Sequence, residues 1–243
     1  MTTSEVSRRG FIAGLGAFSI GAAAVAAGCS AGKPQNLGAS GDAADGTGNQ
    51  GAKELPEADE TLEYDVVVIG SGMAGMSAAI TAREEGAKVL LLESMSVLGG
   101  NTNFAEGMFA VGSSLQKEMG ITDIDVESIL EIEYGFQNYN VDPKWWEAVA
   151  SNSAENIDWL ISKGVVFDTV TSTGTNVPLT WHIFEGNHGD SAIAYLQKAA
   201  EAAGVDIMAE APATALLWDG SSVEGVRAEC GRVAYDIKAK SVI

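Results

Sequence analysis

Three glycines and one acid have the clearest chemical potential in this sequence: Gly70, Gly72 and Gly75 within Gly70-Ser71-Gly72-Met73-Ala74-Gly75, and Glu93 further along. A Gly-x-Gly-x-x-Gly loop that opens a helix is a cradle for phosphate. Gly70 permits the tight turn, Gly72 lets main chain come close to a pyrophosphate, and Gly75 removes the Cβ that would hold the helix away from a sheet. Unpaired amides at the helix N-terminus, with the positive end of the helix dipole, then bind the anion without a lysine. Glu93, about twenty residues beyond the glycines, is placed to accept hydrogen bonds from ribose hydroxyls, and its charge repels a 2′-phosphate.

Those residues need particular elements to hold them. Asp65-Val66-Val67-Val68-Ile69 is a short continuous apolar run, as in a strand buried on both faces of a parallel sheet. Met76 to Glu85 is small and helix-compatible and stops at Gly86, a C-terminal cap. Lys88-Val89-Leu90-Leu91-Leu92 is a second strand with Glu93 at its end. Strand, glycine loop, helix, strand and acid form a dinucleotide-binding βαβ unit. A loop that merely turns tightly gives no reason for the acid at the strand end.

Composition narrows the function classes. The chain has 243 residues, 46% hydrophobic and 19% charged, enough for one main domain. Its 33 acidic and 14 basic side chains give a formal charge of -19, which repels nucleic acid and anionic lipid. Cys29 and Cys230 are too few for a disulfide framework, and no CxxC or CxxCH occurs, which argues against a zinc ribbon or attached haem. No metal site is expected.

The segment after the acid separates FAD from NAD. Gly99-Gly100-Asn101-Thr102-Asn103-Phe104-Ala105-Glu106-Gly107, following Glu93-Ser94-Met95-Ser96, resembles the fumarate reductase and succinate dehydrogenase flavoprotein family, which includes urocanate reductases and 3-ketosteroid dehydrogenases. The resemblance runs through nearly everything from Tyr64 onward and implies that this loop lies along the flavin. Carried over residue by residue, it implicates Ala74, Glu93, Asn101, Thr102, Ala105 and Gly107 in FAD binding. Gly70, Gly72, Met73 and Gly75 in the first loop join them, with Ser94 and Gly100 beside the acid and in the second loop. It also sets the main chain near Ala213 against the adenine. Neutral donors at the flavin edge suit a cofactor that gains negative charge when it accepts hydride. Met108 and Ala110 depart from the family pattern of a second glycine and a polar residue, which puts fumarate itself in doubt as substrate.

The implied fold is α/β: a Rossmann-like FAD-binding domain with a parallel sheet, a βαβ start and an inserted β-meander, incomplete at its C-terminus. After the flavin loop the chain is expected to turn helical. Asp142-Pro143 opens a helix running to Gly164 that carries Trp145, Trp146, Val149, Ile157, Trp159, Leu160 and Ile161, and a second helix spans Asp190 to Ala203. The aromatic residues suit packing against the sheet better than an aromatic-substrate box. Strands are expected at 205–208, 213–218, 223–229 and 233–237, with Asp219-Gly220 and Gly231 as turns, and 239–243 opening another strand. His182 and His188 are expected to make structural hydrogen bonds in a loop near the cofactor.

The first residues form an address. Ser7-Arg8-Arg9-Gly10-Phe11-Ile12 precedes a weakly apolar stretch to Ala27, which resembles a twin-arginine export signal. Ala26-Ala27-Gly28-Cys29 resembles a lipoprotein processing site, with Cys29 lipidated and the protein outside the cytoplasm. Three segments are expected: a signal over 1–29, a Gly/Ala/Asp-rich tether over 30–61, and an FAD-binding domain over 62–243. The resemblance implies an oxidoreductase of anaerobic respiration that reduces the C=C bond of an unsaturated acid by hydride transfer from flavin N5. Electrons would come from a separate cytochrome or FMN-bearing protein. The alternatives are a 3-ketosteroid dehydrogenase-type enzyme or a non-catalytic FAD-binding piece. The family's arginine proton donor and substrate clamps lie in later sequence, so no catalytic residue is assigned and the chain alone is expected to be inactive.

Overall fold

The computed structural model describes residues 55–174 and 177–243. The export signal, Cys29 and most of the tether lie outside the described residues.

Valine and leucine runs build the centre. Strand β1 (Glu60–Ile69) pairs in parallel with β2 (Val89–Leu92), Val66 opposite Val89 and Ile69 opposite Leu92, and α1 (Met73–Glu84) crosses between them. Side chains alternate across the pleat. Val68, Val89 and Leu91 pack with Met76, Ala79 and Ile80 of α1 on one face, while Val67, Leu90 and Leu92 join Val226, Ala228 and Ile237 on the other. Burial on both faces explains the lack of polar alternation in this stretch.

Strand β1 begins well ahead of Asp65. Its first half, Glu60 to Tyr64, alternates instead of running apolar and pairs with β9 (Val233–Val242), Glu60 opposite Tyr235 and Tyr64 opposite Ala239. Asp59 adds two bonds: its amide donates to the Ala234 carbonyl and its carboxylate accepts from the Ala234 amide. The sheet thus starts before Leu62.

The full sheet has the order β6-β2-β1-β9-β8-β7, with β6 (Asp206–Met208), β7 (Ala213–Trp218) and β8 (Val223–Cys230). Neighbours from β6 to β9 are parallel, and β9, β8 and β7 form the antiparallel meander. The segments 233–237 and 239–243 are not two strands. They form one, because Tyr235, Ile237 and Ala239 keep facing the same apolar cluster without a break.

The stretch after Gly99-Gly100-Asn101-Thr102-Asn103, expected to turn helical, is not simply so. A second, three-stranded antiparallel sheet is ordered β3 (Gly107–Phe109), β5 (Trp181–Phe184) and β4 (Phe167–Thr171). Three helices also lie in this stretch: α2 (Ser114–Glu118), α3 (Val126–Phe136) and α4 (Pro143–Ser162). Asp142 caps α4 by accepting from Lys144 N, and Pro143 fills its first turn. Its buried face is Ala150, Ser153, Ile157 and Leu160, whereas Trp145 is 61% exposed and touches Trp146 edge-on. Helix α5 (Gly189–Ala203) buries Ile193, Leu196 and Ala200 against α1 and ends at Gly204 in the left-handed region.

Candidate active site at the ends of the parallel strands

The three elements carrying the predicted residues converge at the C-terminal ends of β1 and β2, where open α/β sheets bind ligands. The turn out of β1 begins at Gly70, whose φ of +99° L side chains rarely adopt and whose amide donates to Leu92 O. Gly75 is fixed by contact. A Cβ there would stand 1.9 Å from the Gly70 carbonyl oxygen, so the glycine lets α1 close onto the loop itself more than onto the sheet. Gly72 differs. Its φ of -62° suits any residue, and a Cβ would meet Thr102 Oγ1 at 3.6 Å and Gly99 O at 3.7 Å, ordinary contacts. Nothing in the described protein demands a glycine there. Room for an approaching ligand is the requirement left over, as a diphosphate would impose.

As N-cap of α1, Gly72 supplies no side chain to the helix start, and the Thr102 hydroxyl accepts from Met73 N at 3.1 Å. Thr102 belongs to a 3-10 turn, Gly100–Phe104, entered through Gly99 at φ +108°. Asn103 closes it by donating to Leu98 O. Gly100, Asn101 and Thr102 are therefore brought to the first turn of α1, beside Met73 and Ala74. A contact that sequence reasoning missed holds this turn from behind: a Cβ on Gly189 would lie 1.9 Å from Thr102 O, so α5 starts directly against it.

Glu93 is 6% exposed and bonds through both oxygens. Oε2 accepts from Ser71 N at 3.0 Å and Ser71 Oγ at 2.5 Å; Oε1 accepts from Ser94 Oγ at 3.0 Å and Met95 N at 2.9 Å. Burial opposes the charge, but the bonds from Ser71 Oγ, Met95 N, Ser71 N and Ser94 Oγ outweigh it and hold the carboxyl at about 2. It is a fixed anion at neutral pH, able to accept from a diol and hostile to a 2′-phosphate. Ala213 lies on the same side, since the chain leading to it is tied to this acid: Ala211 N donates to Glu93 O and Glu210 N to Met95 O.

Gly107, Met108 and Ala110 follow the Gly100–Phe104 turn in the chain. Gly107 is buried in β3, and a Cβ there would stand 2.1 Å from His182 O, so strand packing already requires this glycine. Met108 lines, with Met73, Ala74, Ser77 and Trp159, a cavity of about 450 Å³ between α1 and α4. Ala110 is wholly buried, its amide donating to Thr180 O, so it belongs to the core.

The two histidines part company. His188 is exposed at the start of α5. His182 is fully buried in strand β5, not in a loop, with Nε2 2.8 Å from Ser113 Oγ and Nδ1 3.2 Å from Thr180 O. A carbonyl only accepts, so Nδ1 carries the proton and Nε2 accepts from Ser113. Burial pushes its pKa down, against hydrogen bonds at Thr180 and Met108 and the charge of Asp158. The neutral ring therefore stabilises the fold fully above the unfolded value of about 6.5, and that contribution is lost as pH falls below it. Thermal unfolding at pH 8 and pH 5.5 checks this. His182→Gln should be less stable at pH 8 by about 1–3 kcal/mol yet show a smaller loss on acidification; equal losses would leave His182 outside the pH response.

Residues 65–243 match the family described as FAD binding domain. A vinyl phenol reductase of Lactiplantibacillus plantarum is 37% identical over 153 residues, 63% of this chain and 31% of that protein. A urocanate reductase of Eggerthella lenta is 34% identical over 200 residues, 79% of this chain and 33% of that protein. The open conformation of a flavocytochrome c3 fumarate reductase superposes with a TM-score of 0.68 at 32% identity, over 76% of this chain and 33% of that one. The chain thus spans about a third of the length of these relatives. With a glycine whose only evident purpose is to admit a ligand, an ionised acid at the second strand end, and this match over the whole βαβ unit and meander, the chain belongs to the FAD binding domain family and FAD is its cofactor.

Proposed function

We propose that the protein carrying this chain is an exported FAD-dependent oxidoreductase that reduces a conjugated carbon–carbon double bond, as in an enoate. When bound, FAD supplies two-electron hydride chemistry. The chain's own residues would bind and orient it: amides at the start of α1 would hold the diphosphate, Glu93 the adenosine ribose, and the Gly100–Phe104 turn would offer neutral donors to the flavin side. The observation that carries the reading is the pinning of that turn onto the α1 amide by Thr102. It joins the proposed diphosphate site to the turn expected to lie along the flavin. The relatives support the substrate class, since fumarate, urocanate and vinyl phenol share a double bond conjugated to a carbonyl or an aromatic ring. Export and a lipid on Cys29 rest on the paired arginines and on the Ala-Ala-Gly-Cys segment. An external cytochrome or FMN-bearing protein would supply electrons, and the name of the flavocytochrome relative supports a haem as their source.

The test is anaerobic oxidation of reduced methyl viologen by the flavin-loaded natural protein that carries this chain, with fumarate, urocanate, 4-vinylphenol and a 3-ketosteroid as acceptors. Turnover with at least one of the first three is expected. Flavin-loaded protein inert towards all three would overturn the proposal, and dye-linked desaturation of the steroid would favour the dehydrogenase reading.

A further inference from the structure

We propose that Ser71 is a positioning residue that ties Glu93, the acid facing the ribose, to Gly99 at the start of the flavin-side turn, so that both halves of FAD meet one connected hydrogen-bond array. The inference rests on the FAD assignment above. Ser71 fills an unspecified position of the glycine motif, yet it is fully buried and uses its hydroxyl twice. It donates to Glu93 Oε2 at 2.5 Å and accepts from Gly99 N at 2.9 Å. The direction is fixed, because an amide only donates and an ionised carboxylate only accepts. Gly99 N–H, Ser71 O–H and Glu93 therefore form a chain polarised one way, each bond reinforcing the next.

Two further observations give this chain consequences. Four donors, from Ser71 twice, Ser94 and Met95, surround the carboxylate, which has about four lone-pair positions. Among them only Ser94 is an exposed side chain that can rotate away. A ribose hydroxyl exchanges with Ser94, while Ser71 keeps the carboxylate aimed. Gly99 in turn governs the loop: Asn103 Oδ1 lies 2.2 Å from where its Cβ would be, so placing Gly99 places Asn103 and the turn that carries Thr102.

The test uses Ser71→Ala and the near-isosteric Ser71→Cys, each alone and combined with Glu93→Gln, read by FAD titration and by the visible spectrum of the saturated flavin. Each single Ser71 variant should weaken FAD by about 10- to 100-fold and shift the flavin bands. In the Glu93→Gln background the further loss should shrink to under about 3-fold, because the charged acceptor that polarises the chain is already gone. A purely structural serine would lower melting temperature but leave the spectrum, and the loss in both backgrounds, unchanged; that result overturns the proposal. Should both Ser71 variants bind FAD like the unaltered chain while Glu93→Gln does not, the coupling alone fails and the FAD site stands. If the unaltered chain takes up no FAD, the site assignment fails and this proposal with it.

Discussion

Replacing Glu93 with alanine should lower FAD affinity at least about 100-fold, an effect measurable by titrating the apo chain with FAD and following flavin fluorescence. The size follows from what the carboxylate does. It accepts four hydrogen bonds from the protein, in the proposed site one of them gives way to a ribose hydroxyl, and bonds to a charged acceptor are the strong ones. Truncation also strands the Ser71 hydroxyl in a fully buried position, so the apo chain should melt at lower temperature. Glu93→Gln should fall between, since an amide offers one accepting oxygen and turns a donor towards other donors. The acid also sets an expectation for pH. Its folded pKa, about 2, is depressed, so its contribution to stability is present above the ordinary glutamate value of about 4.3 and is lost as pH falls from there towards 2. A Glu93→Ala chain that bound FAD like the original would remove the ribose contact from the site.

The second large effect separates two glycines of one motif. Gly75→Ala should destabilise the chain by about 3 kcal/mol, because its new Cβ meets the Gly70 carbonyl at 1.9 Å and backbone cannot swing aside. Gly72→Ala should leave apo stability within about 0.5 kcal/mol, since its φ of -62° and its contacts at 3.6 Å and 3.7 Å are ordinary. FAD affinity should nonetheless fall at least about 10-fold, because the methyl group occupies the approach to the diphosphate. Chemical denaturation of the apo chains and FAD titration, run on both variants, measure the two quantities independently. Loss of stability in Gly72→Ala with intact flavin uptake would reverse the assignment.

The comparison of these glycines shows how far sequence carries. Gly70, Gly75, Glu93 and the apolar runs around them follow local rules of period, turn and cap, so the second half of β1, α1, β2 and α5 were legible. The meander was legible too, although Ala239 was split from Ile237 where the alternation of β9 runs on. The small sheet was not. Strand β3 has three residues, and its pairing with Trp181 to Ile183 lies far along the chain, so no local period announces it. For the same reason His182 was expected in a loop, whereas its partner Ser113 and the α2 cap make it part of a buried polar network. Ser71 could have been noticed as a hydroxyl inside the motif; Gly189 offered no signal, because its task is set by Thr102, to which no sequence pattern connects it.

In the proposed site the strand ends grip the adenosine diphosphate half of FAD. Competition separates the outcomes: the chain is titrated with FAD in the presence of rising ADP, and separately with FMN, which keeps one phosphate but lacks the adenosine monophosphate. ADP should displace FAD, and FMN should bind far more weakly. Flavin uptake that ignores ADP and treats FMN and FAD alike would contradict the claim.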